Sequence, residues 1–264
     1  MNVRRIKAMK GKEKIVMVTA YDAPNAKIAW DAGIRIILVG DSAANTVLGY
    51  SNTLPVTMEE MMTFVSAVKR GAPDAFVIAD MPFLSYQVSE EEALKNAGKF
   101  VKECGADAVK LEGGREVVGI IRKLVDFGIP VMGHLGFTPQ YVHTIGGYRV
   151  RGKEEEEREK ILEDAQLLEE AGVFALVLEM MMEDLAKLVT EQVSVPTIGI
   201  GSGRYCDGQV LVWHDIMGIN PDFKPRFAKS YVNLYEICVK AIKQFIDEVR
   251  KGDFPAEEHV FKEK

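Results

Sequence analysis

The sequence predicts an α/β protein built as a single (βα)8 TIM barrel, with its active site at the C-terminal ends of the strands. Short apolar, β-branched runs alternate with amphipathic stretches along the chain, which is typical of repeated βα units. Five of these runs end on a polar and mostly ionisable residue. Because the loops at strand carboxyl ends build the active site of a parallel barrel, this second pattern indicates an enzyme.

Eight strands are predicted from the apolar runs at residues 15–19, 34–39, 75–79, 107–111, 130–133, 173–178, 196–200 and 210–213. Helices are predicted between them at residues 22–31, 58–70, 89–104, 115–127, 155–170 and 183–192, with a last helix at 231–249. Asp22, Thr57 and Ser89 precede three of these helices as N-caps, and the acidic run 154–157 favours a helix start through the helix dipole.

Glycine precedes several of the predicted strands, where a helix can end with a positive φ at no steric cost. The positions are Gly33, Gly105, Gly128 and Gly172. Their repetition favours a barrel. An open doubly wound sheet is the alternative, and it would place its ligand at one topological switch point rather than at five strand ends.

Length and charge bound the remaining possibilities. The chain has 264 residues and is 47% hydrophobic, which suits one domain over 1–264 with a short N-terminal extension and a C-terminal helix. A formal charge of −6 argues against nucleic acid as a partner. The sequence contains neither a signal peptide nor an apolar run long enough to span a bilayer, so we expect a cytoplasmic protein that binds small molecules.

Three of the strand-end carboxylates lie in the first half of the predicted barrel: Asp41, Asp80 and Glu112. Acids brought together in a poorly solvated site repel one another unless a cation or shared protons compensate them. Oxygen ligands favour Mg²⁺, with manganese, cobalt or calcium as chemical substitutes. The alternative is that each carboxylate caps a helix or joins a surface ion pair.

Two further residues are candidates for binding an anionic substrate. Lys110 lies two positions before Glu112, so both side chains point to the same face of the strand. A lysine inside the barrel requires an anion, which is either a substrate carboxylate or a neighbouring acid. Ser42 follows Asp41 and offers a hydroxyl and an N–H to a carboxylate, although it could equally cap the next segment.

Glu179 is the candidate general base. Three methionines follow it at 180–182, and an apolar surrounding raises the pKa of a carboxyl group toward working pH. Its alternative role is to cap the helix that contains Asp184. His134 lies between glycine and leucine and is a possible accessory to the proton chemistry, or only a hydrogen-bonded residue in a tight turn.

Two glycine-containing segments are less specific. Residues 199–203 resemble a phosphate-binding loop in glycine content only, so close backbone packing around an organic ligand is the better interpretation. Residues 146–150, together with Thr138 and Pro139, predict a long loop after the fifth strand. Such a loop could serve as a lid or as an intersubunit contact.

With these residues in view, the chain closely resembles the ketopantoate hydroxymethyltransferase family almost end to end. The strings that carry the resemblance are Thr19-Ala20-Tyr21-Asp22, Val39-Gly40-Asp41-Ser42, Leu54-Pro55-Val56-Thr57, Ala79-Asp80-Met81-Pro82-Phe83, Val109-Lys110-Leu111-Glu112-Gly113-Gly114, Gly133-His134-Leu135-Gly136-Phe137-Thr138-Pro139-Gln140, Gly146-Gly147-Tyr148, Leu178-Glu179, Ile198-Gly199-Ile200-Gly201, Asp207-Gly208-Gln209-Val210-Leu211-Val212 and Glu258-His259.

The resemblance implies a Mg²⁺-dependent barrel that transfers a one-carbon unit from 5,10-methylenetetrahydrofolate to 3-methyl-2-oxobutanoate. The product would be 2-dehydropantoate, for pantothenate and coenzyme A synthesis. Carried over by position, the metal ligands would be Asp41 and Asp80, with Glu112 alongside, and the proton acceptor would be Glu179. Ser42 and Lys110 would bind the keto acid.

The resemblance also implies a homo-oligomer, commonly a decamer. One departure is visible: residues 43–45 read Ala-Ala-Asn where many relatives have Leu-Gly-Met. The change keeps the metal ligand, and the resemblance does not define the shape of the loop over the substrate.

Two other functions are compatible with these motifs. The first is a Mg²⁺-dependent carbon–carbon lyase or mutase acting through an enolate of a 2-oxo acid. Such enzymes usually carry a Lys-Lys-Cys-Gly-His type of loop, which this sequence lacks. The second is a barrel that binds a ligand without catalysis, against which both the acid trio and a separate candidate base argue.

Overall fold

A computed structural model describes residues 1–262. Eight parallel strands follow one another around a closed barrel, and β8 pairs with β1 to complete it. The predicted (βα)8 fold is confirmed. The strands are β1 (Ile15–Thr19), β2 (Ile36–Val39), β3 (Phe76–Asp80), β4 (Ala108–Glu112), β5 (Val131–Gly136), β6 (Ala175–Glu179), β7 (Thr197–Ile200) and β8 (Gly208–Leu211).

Eleven α-helices are formed by the described residues. They are α1 (Val3–Met9), α2 (Ala23–Asp31), α3 (Ala43–Thr46), α4 (Met58–Gly71), α5 (Glu90–Lys102), α6 (Val118–Asp126), α7 (Val142–Ile145), α8 (Glu155–Glu170), α9 (Glu183–Gln192), α10 (Trp213–Met217) and α11 (Leu234–Lys251). Three 3-10 turns, at Arg115–Val117, Pro139–Tyr141 and Glu257–His259, complete the regular structure.

The capping residues act as the sequence predicts. Thr57 forms a capping box with Glu60 at the start of α4. Asp22 and Ser89 accept backbone N–H groups at the starts of α2 and α5. These bonds satisfy donors that a helix leaves unpaired at its N-terminus, and they fix where each helix leaves the carboxyl rim of the barrel.

Two strand predictions are corrected. The fifth strand does not stop at residue 133 but continues to Gly136, and the eighth begins at Gly208 instead of residue 210. Glycine is a poor strand former, so propensity alone ends or delays a strand there. A Cβ on Gly208 would lie 2.4 Å from the Ile15 carbonyl oxygen, which shows that close strand packing requires glycine at that position.

The strand side chains form the core. Ile37, Val39, Val77, Ala79 and Leu111 are fully buried. Because the strands run parallel, the polar residues at their carboxyl ends gather at one rim above this core.

The described chain divides into two compact units, Met1–Trp213 and His214–Lys264, of which the first contains the whole barrel. The single domain over 1–264 stays a prediction. The second unit contains α11, an 18-residue helix without a buried residue. Among the described residues, no helix combines the length and apolar character needed to cross a membrane.

Candidate active site

Three buried carboxyl groups lie at the carboxyl ends of neighbouring strands. Asp80 and Glu112 are the last residues of β3 and β4, and Asp41 lies two residues beyond β2. All three are at most 4% exposed. The backbone N–H of Asp41 donates to Oδ2 of Asp80 over 3.1 Å. The predicted trio is therefore brought together at one place on the rim.

Lys110 supplies the positive charge among these acids. Its Nζ lies 2.9 Å from Oδ1 of Asp80 and 3.8 Å from Oε1 of Glu112. The contact to Asp80 is a short ion pair between two buried groups. Lys110 is thus paired with a neighbouring acid, which is one of the two partners that the sequence left open.

The pKa values of the cluster are shifted mainly by burial, and the neighbouring acids add to the effect. Burial raises the pKa of Asp80 to about 7, against the opposing effect of Lys110, and the charge of Asp41 adds to the increase. Burial also raises the pKa of Asp41 and holds that of Glu112 well above its ordinary value. For Lys110, burial opposes the charged form, but the acids, Asp80 foremost, outweigh it and raise the pKa. The ammonium therefore stays charged.

His134 connects this cluster to Glu179. In the register of β4 and β5, His134 lies beside Glu112, and its Nδ1 is 3.1 Å from Lys110 Nζ. Its Nε2 lies 3.3 Å from Oε2 of Glu179. Burial, followed by the charge of Lys110, lowers the pKa of His134 well below its ordinary value, so the imidazole is neutral. The possible accessory residue lies between the ammonium and the candidate base.

Glu179 ends β6 at a more open point of the rim. Its side chain is 17% exposed, and burial raises its pKa to about 7. The next residue, Met180, has a left-handed backbone conformation with a φ of 44°. On β5, Gly136 lies beside Glu179, and a Cβ there would be 2.2 Å from the Glu179 carbonyl oxygen. The backbone itself therefore fixes the candidate base at this position.

Only part of the methionine segment after Glu179 is buried. Met181 is buried, whereas Met182 is 39% exposed. The expected rise in the pKa of Glu179 is present, with burial as its cause. Glu179 does not cap the following helix: the N-cap of α9 is Met182 and makes no side-chain cap bond.

Ser42 lies at the mouth of β2, next to Asp41. Its Oγ is 2.7 Å from the hydroxyl oxygen of Tyr21. Ser42 precedes α3 without forming a side-chain cap bond, so the capping alternative does not hold. Burial raises the pKa of Tyr21 to about 12, against the hydrogen bond from Ser42, which keeps this phenol neutral. The hydroxyl groups of Ser42 and Tyr21 therefore lie together beside the acid cluster.

The acid cluster fits a divalent cation by its charge and by its unpaired oxygens. Three carboxylates and one ammonium would leave a buried excess of negative charge, and Oε1 of Glu112 has no hydrogen-bond partner among the described residues. Within residues 1–262, no three or more side chains of His, Cys, Asp and Glu come close enough together to hold a metal ion by themselves. Mg²⁺ usually needs only one or two carboxylates, with substrate and water as its other ligands.

Sequence reasoning did not single out Gln140 as a functional residue. It lies in the 3-10 turn after β5 and is 3% exposed. Its side chain bonds Oδ2 of Asp41, and its backbone N–H bonds Oε2 of Glu112. The sequence offered one signal, an amide residue directly after Thr-Pro at the carboxyl end of a strand. It did not show the hydrogen-bond partners of that amide, which lie far away in the sequence.

The predicted loop after β5 begins with this turn and with α7. Beyond α7, Tyr148 packs its ring 4.8 Å from that of Phe137. Arg151 then exchanges backbone hydrogen bonds with Met180 and Met182. The end of the loop is therefore fastened to the segment that follows Glu179, while the roles as lid or intersubunit contact stay predictions.

The glycine-containing segment 199–203 packs on the backbone of the same rim. Ser202 Oγ donates to the Leu178 carbonyl oxygen and accepts from the N–H of Met181. With its hydroxyl buried and bonded in this way, Ser202 supports the turn after Glu179.

Fold and site together define a class: a parallel-barrel enzyme with buried acids and a separate candidate base at the carboxyl rim. A sequence model of ketopantoate hydroxymethyltransferase matches residues 1–257. The chain belongs to this family. Both the resemblance and the class of enzyme, a hydroxymethyltransferase, are confirmed.

Curated relatives match this chain in sequence over almost their full length. The 3-methyl-2-oxobutanoate hydroxymethyltransferase of Thermotoga maritima is 66% identical over 264 residues, which is 100% of this chain and 97% of the relative. The protein of the same name from Moorella thermoacetica is 56% identical over 259 residues, covering 98% and 96%.

Solved structures show the same fold at low identity. A 2,3-dimethylmalate lyase, described as a PEP mutase/isocitrate lyase superfamily member, has a TM-score of 0.61 and 17% identity, with 99% of this chain and 89% of that chain covered. A phosphonopyruvate hydrolase in complex with oxalate and Mg²⁺ has a TM-score of 0.63 and 13% identity, covering 98% and 93%. These likenesses concern the fold alone.

Proposed function

We propose that this chain uses a divalent cation, Mg²⁺ by its ligand chemistry, to transfer a hydroxymethyl group from 5,10-methylenetetrahydrofolate to 3-methyl-2-oxobutanoate. The observation that carries the proposal is the division of acids at the rim. Asp41, Asp80 and Glu112 form a closed cluster around Lys110, whereas Glu179 is more exposed and lies on the far side of His134 from Lys110.

Asp41 and Asp80 would hold the cation, and Glu112 would lie alongside. When bound, the cation would supply Lewis-acid stabilisation of the charge that develops on the keto acid. Ser42 and Lys110 would bind the substrate carboxylate, the first through its hydroxyl and the second through its ammonium charge. Substrate binding by Lys110 would have to compete with its ion pair to Asp80.

Glu179 would act as the base. Its carboxylate would take the proton from C3 of the keto acid, and the electron pair of the C3–H bond would be delocalised onto the keto oxygen. A bond would then form between C3 and the methylene carbon of the folate. Both bonds from that carbon to the folate nitrogens N5 and N10 would break, and water would supply the hydroxyl group. The two nitrogens would take up the proton removed from C3 and the second proton of the water, which leaves tetrahydrofolate.

A lyase or mutase acting on a 2-oxo acid is the second candidate, because the fold neighbours include such enzymes on the same barrel. A turnover assay separates the candidates. We expect 2-dehydropantoate to form only when keto acid, folate and Mg²⁺ are all present. Cleavage of a 2-oxo or 2-hydroxy acid without folate would favour the lyase, and binding without turnover would favour a ligand-binding barrel.

The assembly and location of the protein belong to the same proposal. By family resemblance we expect a homo-oligomer, a decamer in the common form, in the cytoplasm. Sedimentation of the purified chain tests the first of these expectations directly.

A further inference from the structure

Gln140 forms a hydrogen-bonded junction beneath the rim. Its backbone N–H donates to Oε2 of Glu112 over 2.9 Å. Its side-chain Nε2 donates to Oδ2 of Asp41 over 3.0 Å and to the Met81 carbonyl oxygen over 2.9 Å. One buried residue from the turn after β5 thus contacts chain segments at the ends of β2, β3 and β4.

The orientation of the Gln140 amide is fixed by the chemistry of its partners. Asp41 and the Met81 carbonyl both accept hydrogen bonds, so the NH₂ group has to face them. On the other side, Oε1 accepts from the Tyr86 hydroxyl at 2.7 Å and from Nε2 of Gln87 at 3.2 Å. Rotation of the amide by 180° would oppose acceptor to acceptor, so the arrangement has one stable state.

We propose that Gln140 is a positioning residue for the cation site, an inference that rests on the proposed function. Its two donors occupy Oδ2 of Asp41 and Oε2 of Glu112, which leaves Oδ1 and Oε1 for a cation. Oε1 of Glu112 is indeed buried and without a hydrogen-bond partner among the described residues. Groups that orient metal ligands in this way typically change metal affinity by about 10- to 100-fold when mutated.

A purely structural role for Gln140 would have a different consequence. The residue would then hold the turn after β5 against the strands, and its loss would lower the stability of the fold without changing cation affinity in the protein that remains folded. Two measurements separate these roles. The first is a calorimetric titration of Mg²⁺ into the protein in the presence of saturating 3-methyl-2-oxobutanoate. The second is the thermal unfolding midpoint of the Mg²⁺-free protein.

Gln140→Met keeps the length of the side chain and removes its donors. We expect its Mg²⁺ affinity to fall by at least about 10-fold. Gln87→Met is the matched control, since it removes one hydrogen bond to the same amide, and Gln87 forms no hydrogen bond to a carboxylate within residues 1–262. Its affinity should stay within about twofold of wild type, because the two donors of Gln140 are intact.

Gln140→Asn is the second variant, in case the first does not fold. It retains the backbone bond to Glu112 and the amide, but its side chain is one methylene too short to reach Asp41, so its Mg²⁺ affinity should also fall. Wild-type affinity in either folded variant overturns the positioning role. Wild-type protein that binds the keto acid equally well with and without Mg²⁺ contradicts the proposed function itself.

Discussion

The ammonium nitrogen of Lys110 lies 3.1 Å from Nδ1 of His134. An ammonium group only donates hydrogen bonds, so Nδ1 has to accept, and the single proton of the neutral ring is on Nε2. That nitrogen is 3.3 Å from Oε2 of Glu179. Lys110 thereby sets the tautomer whose N–H faces the candidate base, although the contact lacks the alignment of a hydrogen bond.

Replacing His134 by leucine should raise the apparent pKa of Glu179. His134→Leu retains a side chain of similar size but removes the N–H that faces the carboxylate at 3.3 Å. We expect the pH midpoint of C3 proton exchange to move upward and the rate at pH 7 to fall about 2- to 3-fold, as for the loss of a weak polar contact. His259→Leu, an exposed substitution, should leave the profile unchanged. An unshifted midpoint in His134→Leu would exclude this role.

The reaction should accelerate with increasing pH. Burial raises the pKa of Glu179 to about 7, and a base acts only in its deprotonated form, so the rate should rise through about pH 7 and level off above it. The check is the initial rate of C3 exchange from pH 5.5 to 8.5 at saturating Mg²⁺ and keto acid. A rate that is constant or falls over this range is incompatible with Glu179 as the base.

Asp80 should be required for keto acid binding. Asp80→Ala removes one of two proposed cation ligands. We expect the Mg²⁺-dependent affinity for the keto acid to fall by more than about 100-fold, which exceeds the usual effect of losing a residue that only orients a metal ligand. Asp74→Ala removes an exposed acid from the segment before β3 and serves as the control. Calorimetry with both variants provides the measurement. Normal Mg²⁺-dependent binding by Asp80→Ala would place the cation elsewhere.

The fold was largely predictable because its signals are local. Caps such as Thr57 and the glycines that close helices act over a few residues, and Gly33 and Gly172 do have positive φ values. The predicted boundaries of β5 and β8 were wrong because the glycines in these strands are required by packing against residues that are distant in the sequence. A Cβ on Gly133 would lie 2.8 Å from a methyl group of Leu176, a packing constraint that propensity does not express.

For the site, the sequence indicated which residues reach the rim but not how they pair. Alternation along β4 correctly placed Lys110 and Glu112 on one face, since that rule is local. The ion pair to Asp80 and the junction at Gln140 depend on strand register and on contacts between residues up to 99 positions apart. Such partners are defined only once the barrel has closed.

Solvent exchange at C3 is the most direct test of the proposed chemistry. With Mg²⁺ and 3-methyl-2-oxobutanoate in deuterated water and no folate, NMR should show wild-type protein replacing the C3 proton. Glu179→Gln should bind the keto acid normally but lose this exchange, whereas the control Glu183→Gln, which changes a partly exposed acid at the start of α9, should retain it. Exchange at the wild-type rate in Glu179→Gln would contradict the assignment of the base.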